Sequence, residues 1–257
     1  MANESADQNL PTRAPTYSSA WVDEHTISIA GKAVEEKSNE ITAIPDVLDS
    51  IDLTGAVVSI DAMGTQTDIA QMIVESEADY VLALKRNHRH LSEDVKDAFT
   101  GRYTQFIYST LDKDHGRVEE RIYTALRPQE VLDESQYEPW KNLSSLVQVE
   151  RLVTFSDGTE RRDKQYYLSS LPVEAVERIG TYIRGHWGIE NRLHWHLDVT
   201  FREDHCRARK VYAAQNLNTI RKLALAIVSQ RKDKLSIRKR LFTAALNIDY
   251  LKELLKI

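Results

Sequence analysis

The stretch from Gly55 to Leu84 constrains the fold more than any other, because strand, helix and strand patterns follow one another without a break. Gly55 to Met63 (GAVVSIDAM) sets four apolar residues among five positions, Ala56, Val57, Val58 and Ile60, the pattern of a buried strand ending on an acid. Thr65 to Glu75 (TQTDIAQMIVE) puts Ile69, Met72 and Ile73 on one helical face, and Asp79 to Leu84 (DYVLAL) reads as the next strand. A helix between two strands returns the chain to the same end of the sheet, so the strands pair in parallel with a right-handed crossover. The class is α/β. Functional groups in such sheets gather at the carboxyl ends of strands, where Asp61 and Lys85-Arg86-Asn87 stand.

The rest of the chain is arranged around this unit. Residues 1–14 are polar without periodicity and read as a disordered leader, leaving 15–257 as the folded domain. Tyr17 to Val22 and Thr26 to Val34 form a hairpin joined at Asp23-Glu24-His25. In Lys37 to Ile51, Ser38 or Asn39 can cap a helix that Pro45 splits or restarts. His88 to Phe99 is a further helix. From about 103 to 171, QFIYST, RVEERIYTAL, SLVQVERLVTF and KQYYLSSL alternate as strands, an antiparallel β-rich insertion. Val173 to about Leu197 is a long helix, Ala213 to Gln230 another with Leu217, Ile220, Ala224 and Ile227 inward, and Ser236 to Leu254 closes with one or two short helices.

Composition narrows the function classes. No run of about 18 apolar residues and no basic-then-apolar amino terminus occurs, which argues against a membrane partner or secretion and points to the cytoplasm. A single cysteine, Cys206, excludes an internal disulfide and a Cys-rich zinc module. The net charge of -5 is unevenly spread: Arg207 to Arg240 holds eleven cations (207, 209, 210, 221, 222, 231, 232, 234, 238, 239, 240) against one acid, Asp233. Such a segment is a solvated helix face or a phosphate-contacting surface, with Arg207, Arg209 and Lys210 as its first candidates.

The long helix carries the densest chemistry. Ile189, Leu193 and Leu197 give it an apolar seam, and His186, Glu190, His194 and Asp198 recur every four residues beside that seam. Two imidazoles and two carboxylates on one stripe would suit zinc, but His186 and His194 are roughly 12 Å apart along an α-helix at about 1.5 Å per residue. Trp187 and Trp195 read as core or helix-packing residues, with base stacking as the alternative. Asp61 and Glu190, an acid ending a strand and one on a helix, could instead converge on hard divalent cations for phosphodiester chemistry; the competing reading of Asp61 is a turn or cap residue.

The strings KSNEITAIP, GAVVSIDAMGTQTDIA, DYVLALKRNHRHL, DHGRVEER, IRGHWGIENRLHWHLDVTFREDHCR, NLNTIRKLALAIV and DYLKELL resemble, in this order, the H-repeat-associated insertion-sequence transposases of the DDE superfamily. The resemblance implies a ribonuclease-H-like mixed sheet with flanking helices and a β-rich insertion before the helix bearing the catalytic Glu. It implies DNA, at transposon ends and target, as partner, a homodimer in a synaptic complex, and Mg2+ or Mn2+ as cofactor. Asp61 matches the family's second catalytic Asp and Glu190 its catalytic Glu. Arg184, His186, Asn191 and His194 would face DNA phosphates or brace the glutamate, beside Lys85, Arg86 and Asn87. Ile183 and His186 stand where related enzymes carry Tyr and Arg, and no Lys follows. The first catalytic Asp has no match: Asp7 lies in the polar leader and Asp23 in the hairpin. The expectation is therefore a chain lacking the first core strand and one of three carboxylates, hence impaired in catalysis. The alternatives are a non-catalytic DNA-binding remnant and a metal-dependent hydrolase built on the His186 to Asp198 helix.

Overall fold

The computed structural model describes residues 16–25, 27–34, 40–114, 116–208 and 212–256. The expected leader, the candidate caps Ser38 and Asn39, and the candidate DNA contacts Arg209 and Lys210 lie outside the described residues. The chain divides into two compact units, 48–186 and 1–47 with 187–257.

The unit 48–186 is built on a mixed sheet with helices around it. β3 (Val57–Ile60) and β4 (Asp79–Leu84) pair in parallel, joined through helix α2 (Thr67–Glu75), as the apolar runs require. The β-rich segment supplies β5 (Phe106–Asp114), β6 (Arg117–Leu126), β7 (Ser145–Phe155) and β8 (Glu160–Ser169), all antiparallel to their neighbours. These strands do not stand apart. β8 pairs with β4, Leu82 opposite Leu168, so one sheet runs β3-β4-β8-β7-β6-β5. This mixed sheet with flanking helices is the architecture expected. β4 is interior and its Tyr80, Val81, Leu82 and Leu84 are buried. Among the described residues β3 is at the edge, and its four residues are only half-buried, a correction to the buried strand read from GAVVSIDAM: apolar composition reports burial on the faces, not coverage of the edge.

Helix α3 (Arg89–Ala98) precedes the insertion and short helices α4 (Pro128–Val131) and α5 (Glu134–Tyr137) interrupt it. Helix α6 (Val176–Ile189) then lays Val176, Ile179 and Ile183 on Val81, Tyr123, Val147, Val149 and Tyr167. Gly180 permits this approach, since a Cβ there would meet the Tyr123 ring at 3.1 Å. Beyond this apolar patch the sheet holds charge: buried Glu119 accepts two hydrogen bonds from Arg151, at 2.8 and 2.9 Å, and ion-pairs with Arg121.

In the other unit, β1 (Thr16–Val22) and β2 (Ile27–Val34) form the expected hairpin, a separate two-stranded sheet with a bulge at Ala20/Trp21. Helix α1 (Glu40–Asp49) runs through Pro45 rather than splitting there. Its core is Leu193, Leu197 and Leu225, with Trp21, Ile189, Phe201 and Ile237 packed around them. Helix α7 (Ala213–Ser229) turns a different face inward from the one expected: Asn218, Leu225, Ala226 and Val228 are buried, while Ile220 is 60% exposed. Polar partners decide this. Asn218 and Arg221 reach Glu203, and Lys222 donates to Ser19 Oγ at 2.6 Å. Helices α8 (Ile237–Leu246) and α9 (Ile248–Leu255) close the chain. No helix of the described residues is long and apolar enough to cross a membrane.

Candidate functional site

Asp61 follows the last residue of β3 and is exposed. Its Oδ1 accepts the backbone N–H groups of Met63, at 3.1 Å, and Gly64, at 3.3 Å, so the carboxylate closes a turn and is fixed by it. Three side chains hold this loop against the end of β4. Thr65, with no exposed surface, donates its hydroxyl to Ala83 O at 2.7 Å. Asn87 donates its amide to Ala62 O, and His88 Nε2 lies 2.7 Å from Thr65 O. Trp140 backs the His88 ring edge-on. Asn87 is thus a brace of the Asp61 loop, whereas Lys85 and Arg86 beside it are exposed and make no ion pair among the described residues. Nothing in GTQT or NHRH marks the Thr65 hydroxyl or the His88 imidazole as turned toward a neighbouring segment.

The long helix changes its winding at Glu190. Residues Val176–Ile189 are α-helical, but Glu190–His194 and His196–Thr200 are π-helical. Trp195 N–H donates to Glu190 O and Phe201 N–H to His196 O, each closing five residues instead of four. The apolar spacing accounts for it. At 3.6 residues per turn, a residue repeated every four drifts by about 40° around the axis. Widened turns cancel that drift and keep Ile189, Leu193, Leu197 and Phe201 in one core. Outward from this seam stand Trp187 and Trp195, 49% and 52% exposed, so neither is a core residue. The Glu190 carboxylate is exposed and has no ion pair among the described residues.

The stripe neighbours of Glu190 have separate duties. His186 Nδ1 lies 3.1 Å from Ser59 Oγ on β3, which seats α6 on the strand that leads to Asp61. Asp198 has its carboxyl pushed up by burial and then by Asp204, Glu203 and Glu190, with His194 opposing. Among the described residues no three His, Cys, Asp or Glu side chains are placed to hold a metal ion, so the stripe does not converge as a zinc site would require. Oxygen donors such as Asp61 and Glu190 do suit a hard divalent cation. Asp61 fits best, with one oxygen fixed by two N–H groups and the other free of hydrogen bonds among the described residues. Asp61 and Glu190 fall in different units.

Of the remaining candidates, Arg184 pairs with Asp112 on β5, so its guanidinium ties α6 to the sheet. Asn191 donates to Trp187 O at 3.2 Å, within its own helix. Arg192 pairs with Asp23 of the hairpin turn at 3.1 Å, and Gly188 leaves room for that carboxylate, since a Cβ there would meet Asp23 Oδ1 at 2.5 Å. Arg207 is exposed.

Residues 16–227 match the family described as Transposase DDE domain. The chain is similar to YbfL of Escherichia coli strain K12, at 34% identity over 245 residues, covering 92% of this chain and 64% of that protein. The H repeat-associated protein YhhI of the same strain gives the same identity and coverage, 34%, 92% and 64%. YncI of Escherichia coli O157:H7 is 36% identical over 92% of this chain and 62% of its own length. The chain thus spans just under two thirds of these relatives. Among solved structures, the cryo-EM piggyBac transposase synaptic complex with hairpin DNA aligns with TM-score 0.42 and 12% identity, over 91% of this chain and 46% of that one.

Proposed function

Because the chain belongs to the family of transposases with a DDE domain, we propose that it serves DNA transposition: hydrolysis of a phosphodiester at a transposon end, then strand transfer by the 3′-hydroxyl released. Asp61 and Glu190 are the carboxylates assigned to Mg2+ or Mn2+. Such an ion, when bound, activates the attacking oxygen and stabilises the leaving one. The chain's own contribution is positioning. The observation that carries the reading is the braced loop at the end of β3, where a fixed carboxylate, Asp61, adjoins two exposed cations, Lys85 and Arg86. A rigid acid beside cations that can take DNA phosphates is what phosphodiester chemistry needs from a strand end. Pairing of two transposon ends by a dimer rests on the resemblance alone.

The test is nicking of DNA carrying transposon-end repeats, with Mn2+ or Mg2+, by the chain and its Asp61→Asn and Glu190→Gln variants. Metal-dependent cleavage lost in both variants, with DNA binding retained, is the expected result. A second reading, DNA binding without turnover, is favoured by the absence among the described residues of three grouped carboxylates or imidazoles. Binding by the unsubstituted chain with no cleavage under any divalent ion would select it.

A further inference from the structure

The eleven cations between Arg207 and Arg240 are not equivalent in the folded chain. Arg221 pairs with Glu203, and Lys222 turns inward to Ser19. Arg231 pairs with Asp233 and Glu253. Arg240 is 8% exposed and is consumed by the turn before its helix: Nη1 donates to Val228 O at 2.9 Å, Nη2 to Asp233 O at 3.0 Å and Nε to Asp233 Oδ1 at 2.8 Å. Asp233, the single acid of the segment, is turned the same way. It accepts in addition the Leu235 N–H at 2.9 Å and the Tyr250 hydroxyl at 2.9 Å. With its acid neutralised from within, the turn between α7 and α8 leaves Lys232, Lys234, Arg238 and Lys239 exposed. None of these four side chains makes an ion pair or hydrogen bond among the described residues.

We propose that, of the basic segment, Lys232, Lys234, Arg238 and Lys239 are the residues that form a nucleic-acid backbone contact surface, separate from the Asp61 loop. The proposal rests on DNA being the partner. Lys232 and Lys234 on the pinned turn and Arg238 and Lys239 in the first turn of α8 are like charges close in sequence, and no acid in that helix turn offsets them. The cost of these like charges falls when phosphates sit against the turn. A basic loop free to move would lose conformational freedom on binding; Arg240 and Asp233 have already ordered this one. The contact would carry no sequence information, only affinity and register.

The experiment compares the chain with a variant carrying Lys232→Gln, Lys234→Gln, Arg238→Gln and Lys239→Gln, titrating duplex DNA between about 50 and 200 mM salt. Each phosphate contact contributes about 0.9 to the slope of log K against log salt, so the slope should shrink by about 3 to 4. Circular dichroism and Tm should be unchanged, and single-turnover cleavage at saturating DNA should be unchanged where it occurs. An unaltered slope in a folded variant overturns the surface and leaves the transposition reading standing. No salt-dependent DNA binding by the unsubstituted chain overturns both. If the four substitutions abolish binding to vesicles containing phosphatidylserine but not to DNA, the surface belongs to a lipid headgroup and the proposal fails.

Discussion

At Asp233 an ion and its partners define a measurable property. Burial raises the cost of its charge, but the Arg240 guanidinium, the Leu235 N–H and the Tyr250 hydroxyl overcome it and hold the carboxyl at about 2, against an ordinary 3.8. The folded-state value is the lower one, so the group stabilises the fold fully above about pH 4, and that contribution fades as pH falls through 2. Thermal unfolding of the chain should weaken across that window, and an Asp233→Asn variant should lose the Asp233 share of the dependence while being less stable at pH 7. Asp61 makes a different point at the same scale. Its place at the end of a strand is legible in the sequence, and so is its turn role, since its Oδ1 accepts the N–H groups of Met63 and Gly64. The residues that brace it were not legible. Thr65→Val keeps shape but leaves Ala83 O without its donor, which should cost about 1–3 kcal/mol in chemical denaturation and slow cleavage more than DNA binding.

Among the elements, the apolar pattern places the long helix but not its winding. The seam Ile189, Leu193 and Leu197 is visible in the sequence, but four-residue spacing is equally at home on an α-helix and does not announce the π turns. Winding is a tertiary outcome, because Leu225 and Trp21 fix where the seam must point. Leu193, 1% exposed, is therefore expected to be costly to truncate: Leu193→Ala should lose about 2–5 kcal/mol by urea unfolding. Hydrogen exchange at Trp195 and Phe201, the N–H groups that close the π turns, should rise in the same variant. Apolar residues occur on both flanks of α7, and Glu203 selects the flank with Asn218 and Arg221. Polar partners distant in sequence leave no periodicity to find.

For the whole molecule, local pattern carried the parallel unit and the four antiparallel strands, whereas the joining of β8 to β4 was invisible, since Leu82 and Leu168 advertise burial but not each other. The same separation in sequence governs the functional question. Asp61 and Glu190 lie in different units, and kinetics decides whether they serve one reaction. Groups that act together on one transition state are strongly non-additive: once one is gone, losing the other costs little more. Independent contributions multiply instead. If Asp61→Asn and Glu190→Gln each slow cleavage by a factor of about 10³, a double variant serving one site stays near 10³, and two separate roles would give about 10⁶. Measured as single-turnover rates at saturating DNA, with DNA affinity followed in parallel, a multiplicative loss would detach Glu190 from Asp61 and reduce the long helix to a scaffold. A plateau at the single-variant rate would make both carboxylates parts of one catalytic device, whatever each unit contributes around it.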